Sequence, residues 1–331
     1  MKSLHYGILC LVTSVTILGG CGSHPATHRL TVAVVPMGTT DEYWRTVHAG
    51  AVRAGRDLGV DILWQGPIRR DDRSAQIDVV ENMIVRGVQG IVLAPVDNMA
   101  LRGPVEDAYR NRIPVVVIDS DLQSDRLVSF IATDNYQGGY MAGEHLSQLL
   151  GGKGDVALLR GVEGNASTDH RERGFLAAIK KNPGIRVVSE NQHGGSTSET
   201  AYKASENLLA PFKTADGKLK IQGIFCPNES TAFGMLRALQ DADLAGKVHF
   251  VGFDSSEKLN RALADGQIDA LVVQNPMSIA YLGVTTLVEH VAGARVPAKI
   301  NVAAQVVTRD NMQSPQISEL LHPNISRWID D

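Results

Sequence analysis

Residues 115–121 read VVVIDSD, and residues 248–256 read VHFVGFDSS. Both are continuous apolar runs, the pattern of a strand covered on its two faces, and both end on an aspartate. A carboxylate has no place inside such a layer, so Asp119 and Asp254 mark the points where a buried strand leaves the core. Because the pattern occurs twice, the strands are expected to deliver their aspartates to one common edge.

Runs of the same kind recur along the chain, among them LTVAVVP (30–36), GIVLAPVD (90–97), GDVALLRG (154–161), IQGIFCPNE (221–229) and IDALVVQNP (268–276), ten in all. Helical periods lie between them. Val47, Ala51, Ala54 and Leu58 share one helix face, Ile77, Val80 and Ile84 another, and Asp134 caps a helix that runs to Leu150 and stops at GGKG. The βαβα alternation breaks at FIATDNYQ, which begins at Phe130, and resumes near Gly154. The expected fold is therefore α/β, with two doubly wound parallel-sheet lobes. In such sheets ligands bind beyond the carboxyl ends of the strands, where Asp41, Asp119, Asn228, Asp254 and Gln274 lie.

A chain of 331 residues with 44% hydrophobic content can fill two cores. Its formal charge of −4, with no run of Lys and Arg, argues against a nucleic-acid partner. The first residues, MKSLHYGILCLVTSVTILGGCGS, have a charged Lys2, an apolar stretch from Tyr6 to Leu18 and then small residues, the layout of an export signal. Leu18-Gly19-Gly20-Cys21 looks like a bacterial lipobox. Residues 1–20 are read as the leader, Cys21 as the lipidated first residue of the mature chain, and 21–29 as a polar tether. Cys226 then remains as a small buried filler, and no intramolecular disulfide is possible.

Catalytic signatures are scarce. There is no G-x-S-x-G elbow, no H-E-x-x-H, no paired C-x-x-C and no P-loop, and the histidines lack helical metal-ligand spacing, so neither metal nor cofactor is expected. Asp119 and Asp254 could serve as a glycosidase pair only if one carboxyl were tuned selectively, and nothing in the sequence does that.

From about Leu30 to Asp310 the sequence resembles the ribose-type periplasmic sugar-binding proteins of bacterial ABC importers. The likeness lies in RGVQGIVLAPVD, IPVVVID, IATDNYQGG, RERGFLAAI, GIFCPNESTAFGMLRALQ, VGFD and GQIDALVVQNP. It implies a Venus-flytrap receptor of the type I periplasmic-binding-protein fold, with crossings near 132–134, 274–276 and 302–305. The first lobe would comprise 30–132 plus 276–303 and the second 133–275 plus 304–326. The resemblance places ring-stacking aromatics on Tyr43 and Trp44 and hydroxyl-binding groups on Asp119, Arg171, Asn228, Asp254 and Gln274, with Asp41 in place of the family's first-loop Asn. It also implies a permease partner, a sugar or polyol ligand, an envelope location and a monomer.

Departures from the ribose pattern count against ribose itself: Ser120 stands for an Arg, Ala94 for an Asn, and QHGGSTSET lacks the second-lobe aromatic. WQGP with Gln76 has a faint similarity to autoinducer-2 receptors, leaving a receptor that presents its closed form to a membrane sensor as the alternative. Asp97, Glu163 and Trp64 are further candidates for the cleft wall.

Overall fold

The computed structural model describes residues 29–329; the leader, Cys21 and the tether as far as residue 28 lie outside the described residues. The chain begins with β1 (Thr31–Val35), α1 (Glu42–Leu58), β2 (Asp61–Trp64), α2 (Arg73–Val85), β3 (Gly90–Leu93), α3 (Arg102–Arg110), β4 (Val115–Ile118) and β5 (Ser129–Thr133). It continues through α4 (Asn135–Leu149), β6 (Lys153–Arg160), α5 (Ala166–Lys180), β7 (Gly184–His193), α6 (Ser198–Leu209), β8 (Gly223–Phe225), α7 (Glu229–Asp241), β9 (His249–Phe253), α8 (Glu257–Ala264) and β10 (Ala270–Val273). It closes with α9 (Pro276–Val291), β11 (Lys299–Val302), β12 (Gln305–Thr308) and α10 (Pro315–Leu321).

Two six-stranded sheets result, ordered β2-β1-β3-β4-β5-β11 and β7-β6-β8-β9-β10-β12. Each is a lobe with helices on both faces, as the continuous apolar runs require. Strands β3, β4 and β10 are buried at every residue. The two orders are the same motif used twice, so β4 and β9 occupy equivalent places. All strand pairs are parallel except β10 with β12.

The two parallel-sheet lobes are as expected, and the cause of this one antiparallel edge pair is the way the chain changes lobe. At Asp134 and at Gln274–Asn275 the chain leaves a strand end and enters a helix of the other lobe, which carries it back to the far edge. Both helices are capped where they start: Asp134 accepts from the Gln137 backbone N–H at 3.0 Å, and Asn275 accepts from that of Ser278 at 3.0 Å, with Pro276 opening α9. At Ala303–Ala304 no helix intervenes. The chain passes from the cleft end of β11 straight into β12, and a strand that joins a parallel sheet from its carboxyl edge must run antiparallel.

Sequence separation hides how closely the helices pack. A Cβ on Gly139 of α4 would collide with the Arg171 carbonyl oxygen of α5, and one on Gly174 with that of Tyr136, so the two helices meet backbone to backbone. The core side chains form one cluster in the first lobe and two in the second. Cys226 is fully buried, and burial raises its thiol pKa well above the ordinary value, as befits a filler.

Candidate functional site

The carboxyl ends of both sheets face one another, and the cavity between them is built largely from the residues that end strands. Tyr43 and Trp44 come from the first turn of α1, Asp119 follows β4, Asn228 follows β8, Asp254 follows β9 and Gln274 follows β10. With Arg171 of α5, these seven line the cavity, and all are between 2% and 8% exposed. About 30 Å³ of space remains among them, room for roughly two or three waters, so anything as large as a monosaccharide needs the lobes to part.

Asp119 and Asp254 adopt the same backbone geometry. Their φ angles are 65° and 69°, in the left-handed region that costs most side chains about 1–2 kcal/mol and that Asp tolerates best after Gly and Asn. In both, the backbone N–H donates to the neighbouring strand, Asp119 to Ile131 at 3.0 Å and Asp254 to Val272 at 2.8 Å. The strand thus keeps its ladder to the last residue while the chain turns out of the sheet, and each lobe presents a carboxylate at the shared edge.

The two carboxylates have different partners. Asp119 Oδ1 accepts from the Tyr43 hydroxyl at 2.5 Å. Burial raises the Asp119 pKa, against the opposing pull of Arg171 and of that hydroxyl, and burial next to Asp119 also raises the pKa of Tyr43. Asp254 Oδ1 accepts from Gln274 Nε2 at 2.6 Å and Oδ2 from the Glu229 backbone N–H at 3.1 Å, with Arg171 Nη1 at 3.7 Å. Arg171 is held on every side: Nε donates to Asn135 Oδ1 at 2.8 Å, Nη1 donates to the Pro227 carbonyl at 2.9 Å, and the guanidinium lies 3.9 Å from the Phe253 ring centroid. Asn228 caps a helix from the cavity wall. Its Oδ1 caps α7 by accepting from Thr231 N–H and Oγ1, while its Nδ2 has no protein partner among the described residues. Two further polar atoms on the wall are buried without a partner among the described residues, Trp44 Nε1 and Gln274 Oε1.

Other residues singled out in the sequence lie elsewhere. Asp41 does not line the cavity; it stands at the N-terminus of α1 and forms an ion pair with Arg70 at 3.1 Å. Asp97 pairs with Arg73 at 2.8 Å and accepts from the backbone of Met99 and Ala100. The Glu163 carbonyl accepts from Arg73 at 3.3 Å, and Trp64 stacks on His48 at 4.4 Å. Gln76 is fully buried and ties β1 to β3, its Nε2 donating to the carbonyls of Pro36 and Ala94 and its Oε1 accepting from Val96 N–H. Its role in this fold is therefore structural.

The wall also contains residues that the sequence did not single out, notably Met37, Arg70, Asn165, Thr168 and Glu229. Asn165 had a local signal, since NAST is a cap sequence and Asn165 Oδ1 accepts from Thr168 N–H at 3.0 Å. Arg70 had none, for it belongs to the loop before α2. The lobes touch through these residues: Asn165 Nδ2 lies 3.2 Å from Met37 Sδ, Arg70 donates to Ser230 Oγ, and the Tyr43 backbone N–H donates to Glu229 Oε2 at 3.3 Å.

Residues 32–295 match the family described as a periplasmic binding protein domain. The ribose import binding protein RbsB of Haemophilus influenzae is 31% identical over 300 residues, covering 91% of this chain and 99% of that protein. Among solved structures, a carbohydrate transporter solute binding protein from Agrobacterium radiobacter in complex with D-arabinose superposes with a TM-score of 0.84 at 33% identity, covering 90% of this chain and 100% of that one. An ABC transporter solute binding protein from Agrobacterium vitis with bound D-fucose gives 0.83 at 34% identity, covering 88% of this chain and 100% of that one. These relatives are binding proteins, not enzymes.

Proposed function

The chain belongs to the periplasmic-binding-protein family, and on that premise we propose that it captures a small neutral sugar or polyol between its lobes and delivers it to an ABC importer. The lobes divide as 30–132 with 276–303 and 133–275 with 304–326, and lipid on Cys21 holds the receptor at the cell envelope. The observation that carries the reading is the pair of strand-end aspartates, Asp119 and Asp254, both turned out of their sheets at positive φ into a cavity whose wall also has an unpartnered donor, Trp44 Nε1, and an unpartnered acceptor, Gln274 Oε1.

The chemistry suits a polyhydroxylated ring. A carboxylate accepts from two neighbouring hydroxyls at once, a guanidinium donates to ring or hydroxyl oxygens, and the Tyr43–Trp44 pair, edge to face at 5.0 Å, offers apolar surface to the C–H face of a sugar. Charge-assisted hydrogen bonds contribute about 1.5–3 kcal/mol each, so a few suffice for micromolar capture. The relatives named for D-arabinose, D-fucose and ribose point to neutral monosaccharides. The lobes part, the ring docks against one wall, and closure completes the contacts.

A thermal-shift screen of the chain lacking its leader, against pentoses, hexoses, polyols, uronic acids and sugar phosphates, tests this reading. At 100 times Kd the matching neutral sugar should stabilise the protein by about 2.7 kcal/mol. A sugar acid as best ligand, or no stabilisation by any neutral sugar or polyol, would overturn it.

A further inference from the structure

Arg70 and Glu229 enter the cavity from opposite lobes, and the family resemblance assigned neither of them. Arg70 lies in the loop between β2 and α2. Its Nε faces Asp41 Oδ2 at 3.1 Å, its Nη2 donates across the cleft to Ser230 Oγ, and its Nη1 has no protein partner among the described residues. The side chain is only 11% exposed, so its remaining N–H groups are committed to the cavity. Glu229 is the first residue of α7, next to Asn228 in sequence, and its Oε2 accepts from the backbone N–H of Tyr43 in the other lobe at 3.3 Å.

The charges around Glu229 are mostly of its own sign. Asp41 and Glu42 face it from the start of α1 and Asp254 from the end of β9, with Asp119 on the far wall. The two nearby cations are already engaged, Arg70 by Asp41 and Arg171 by Asp254. A charged Glu229 would therefore be a further, largely buried anion with no counter-ion among the described residues, whereas the neutral acid carries an O–H that can be donated.

We propose that Arg70 and Glu229 are specificity-determining residues of the cleft, Arg70 a guanidinium aimed at an oxygen acceptor of the sugar and Glu229 a carboxyl that offers the sugar a hydroxyl donor in place of a charge. This rests on the sugar-binding reading above and deepens it. With Trp44 Nε1 also unpaired, these groups add donors to a wall whose carboxylates and Gln274 Oε1 accept, which favours a ligand presenting ring, carbonyl or hydroxyl oxygens to Arg70 and Glu229.

Capture is then linked to protons. Burial, reinforced by Asp41 and Asp254, pushes Glu229 from its ordinary 4.5 up to about 8 in the closed form, while parting the lobes returns it to water. Closure therefore takes up a proton at any pH between those values. A group whose pKa is raised in the closed state favours that state most fully below its ordinary pKa, and this contribution is lost as pH rises toward 8, so affinity falls with pH across that window.

The test is calorimetric titration at pH 6 and pH 8 with whichever of D-ribose, D-arabinose, D-allose and D-fucose binds tightest. Wild-type affinity should fall about tenfold or more between the two. Glu229→Gln keeps a donor without a titrating proton, so it should bind within severalfold of wild type at pH 6 and lose the slope. Arg70→Met should lose tenfold or more at both pH values. Arg70→Lys, which preserves the charge beside Asp41 but not the planar fork, should lose severalfold with an unchanged ligand-free melting temperature, and it carries the test if the methionine variant does not fold. A wild type with no slope, a slope that persists in Glu229→Gln, or wild-type affinity in Arg70→Lys overturns the inference. Failure to bind these four or any other neutral sugar or polyol of the thermal-shift screen overturns instead the reading beneath it.

Discussion

Asp119 shows how one residue can serve backbone and ligand at once. At φ 65° it sits where glycine would be most comfortable, and its carboxylate accepts from Tyr43. The two roles can be separated by substitution. Asp119→Gly and Asp119→Ala both remove the carboxylate, so both should lose at least tenfold in sugar affinity. Only the alanine variant keeps a Cβ in the left-handed region, so the glycine variant should be the more stable of the two by about 1 kcal/mol, read from chemical denaturation. Equal stability of the two would show that the positive φ is not a source of strain. The strand-end aspartates could be read from the sequence because a charge terminating an apolar run is a local pattern. Their left-handed backbone could not, since it belongs to the turn by which the chain leaves the sheet while each N–H still donates to the next strand.

At the scale of elements, α4 and α5 form the closest helix pair near the site, and their contact fixes Arg171. Asn135, the first residue of α4, accepts from Arg171 Nε, so the spacing of the helices sets where the guanidinium stands. Gly139→Ala places a methyl group against the Arg171 carbonyl and must push α5 away. The expected cost is about 1–3 kcal/mol of folding stability together with a loss of sugar affinity, although Gly139 does not line the cavity. A melting temperature and a binding isotherm measured together decide it; wild-type values in both would mean that the helices can separate freely. Ten strands were legible as apolar runs. The two that were not, β11 and β12, are four-residue edge strands: β11 alternates exposed and half-buried residues, and β12 has only Val307 fully buried. A strand covered on one side, at the margin of a sheet, need not be continuously apolar.

The whole molecule has a fourth tie between its lobes besides the three crossings. After α10 the chain runs from the second lobe, where Asn260 Nδ2 donates to the Leu321 carbonyl, to α1 of the first, where Arg56 donates to the carbonyls of Arg327 and Trp328 at 3.1 and 3.0 Å. Arg53 lies 5.7 Å from the Trp328 ring centroid. This strap joins the lobes in their closed arrangement. Arg56→Ala should therefore raise the sugar dissociation rate severalfold, consistent with about 0.5–1.5 kcal/mol per hydrogen bond, while leaving every cleft contact in place. Stopped-flow tryptophan emission measures that rate, and an unchanged value would mean that the strap moves with the lobes without restraining them.

The sequence by itself determined the α/β class, the doubling of the lobe and the edge at which polar residues gather, because each follows from short-range patterning: strands buried on both faces must be apolar throughout, and a polar residue can appear only where they end. The strand ends indicated Asp119, Asn228, Asp254 and Gln274, and the family resemblance added Tyr43, Trp44 and Arg171; the fold brings all seven to one cavity. Only the tertiary structure decided which further residues share the cavity. Asp41 turned to Arg70 instead of the cavity, Gln76 was spent on tying two strands, and Arg70 and Glu229, distant in sequence and on opposite lobes, came to face the same few ångströms of space. The protonation of Glu229 and the pairing of Arg70 depend on burial and on neighbours supplied by the other lobe, and a linear sequence holds neither until the lobes close.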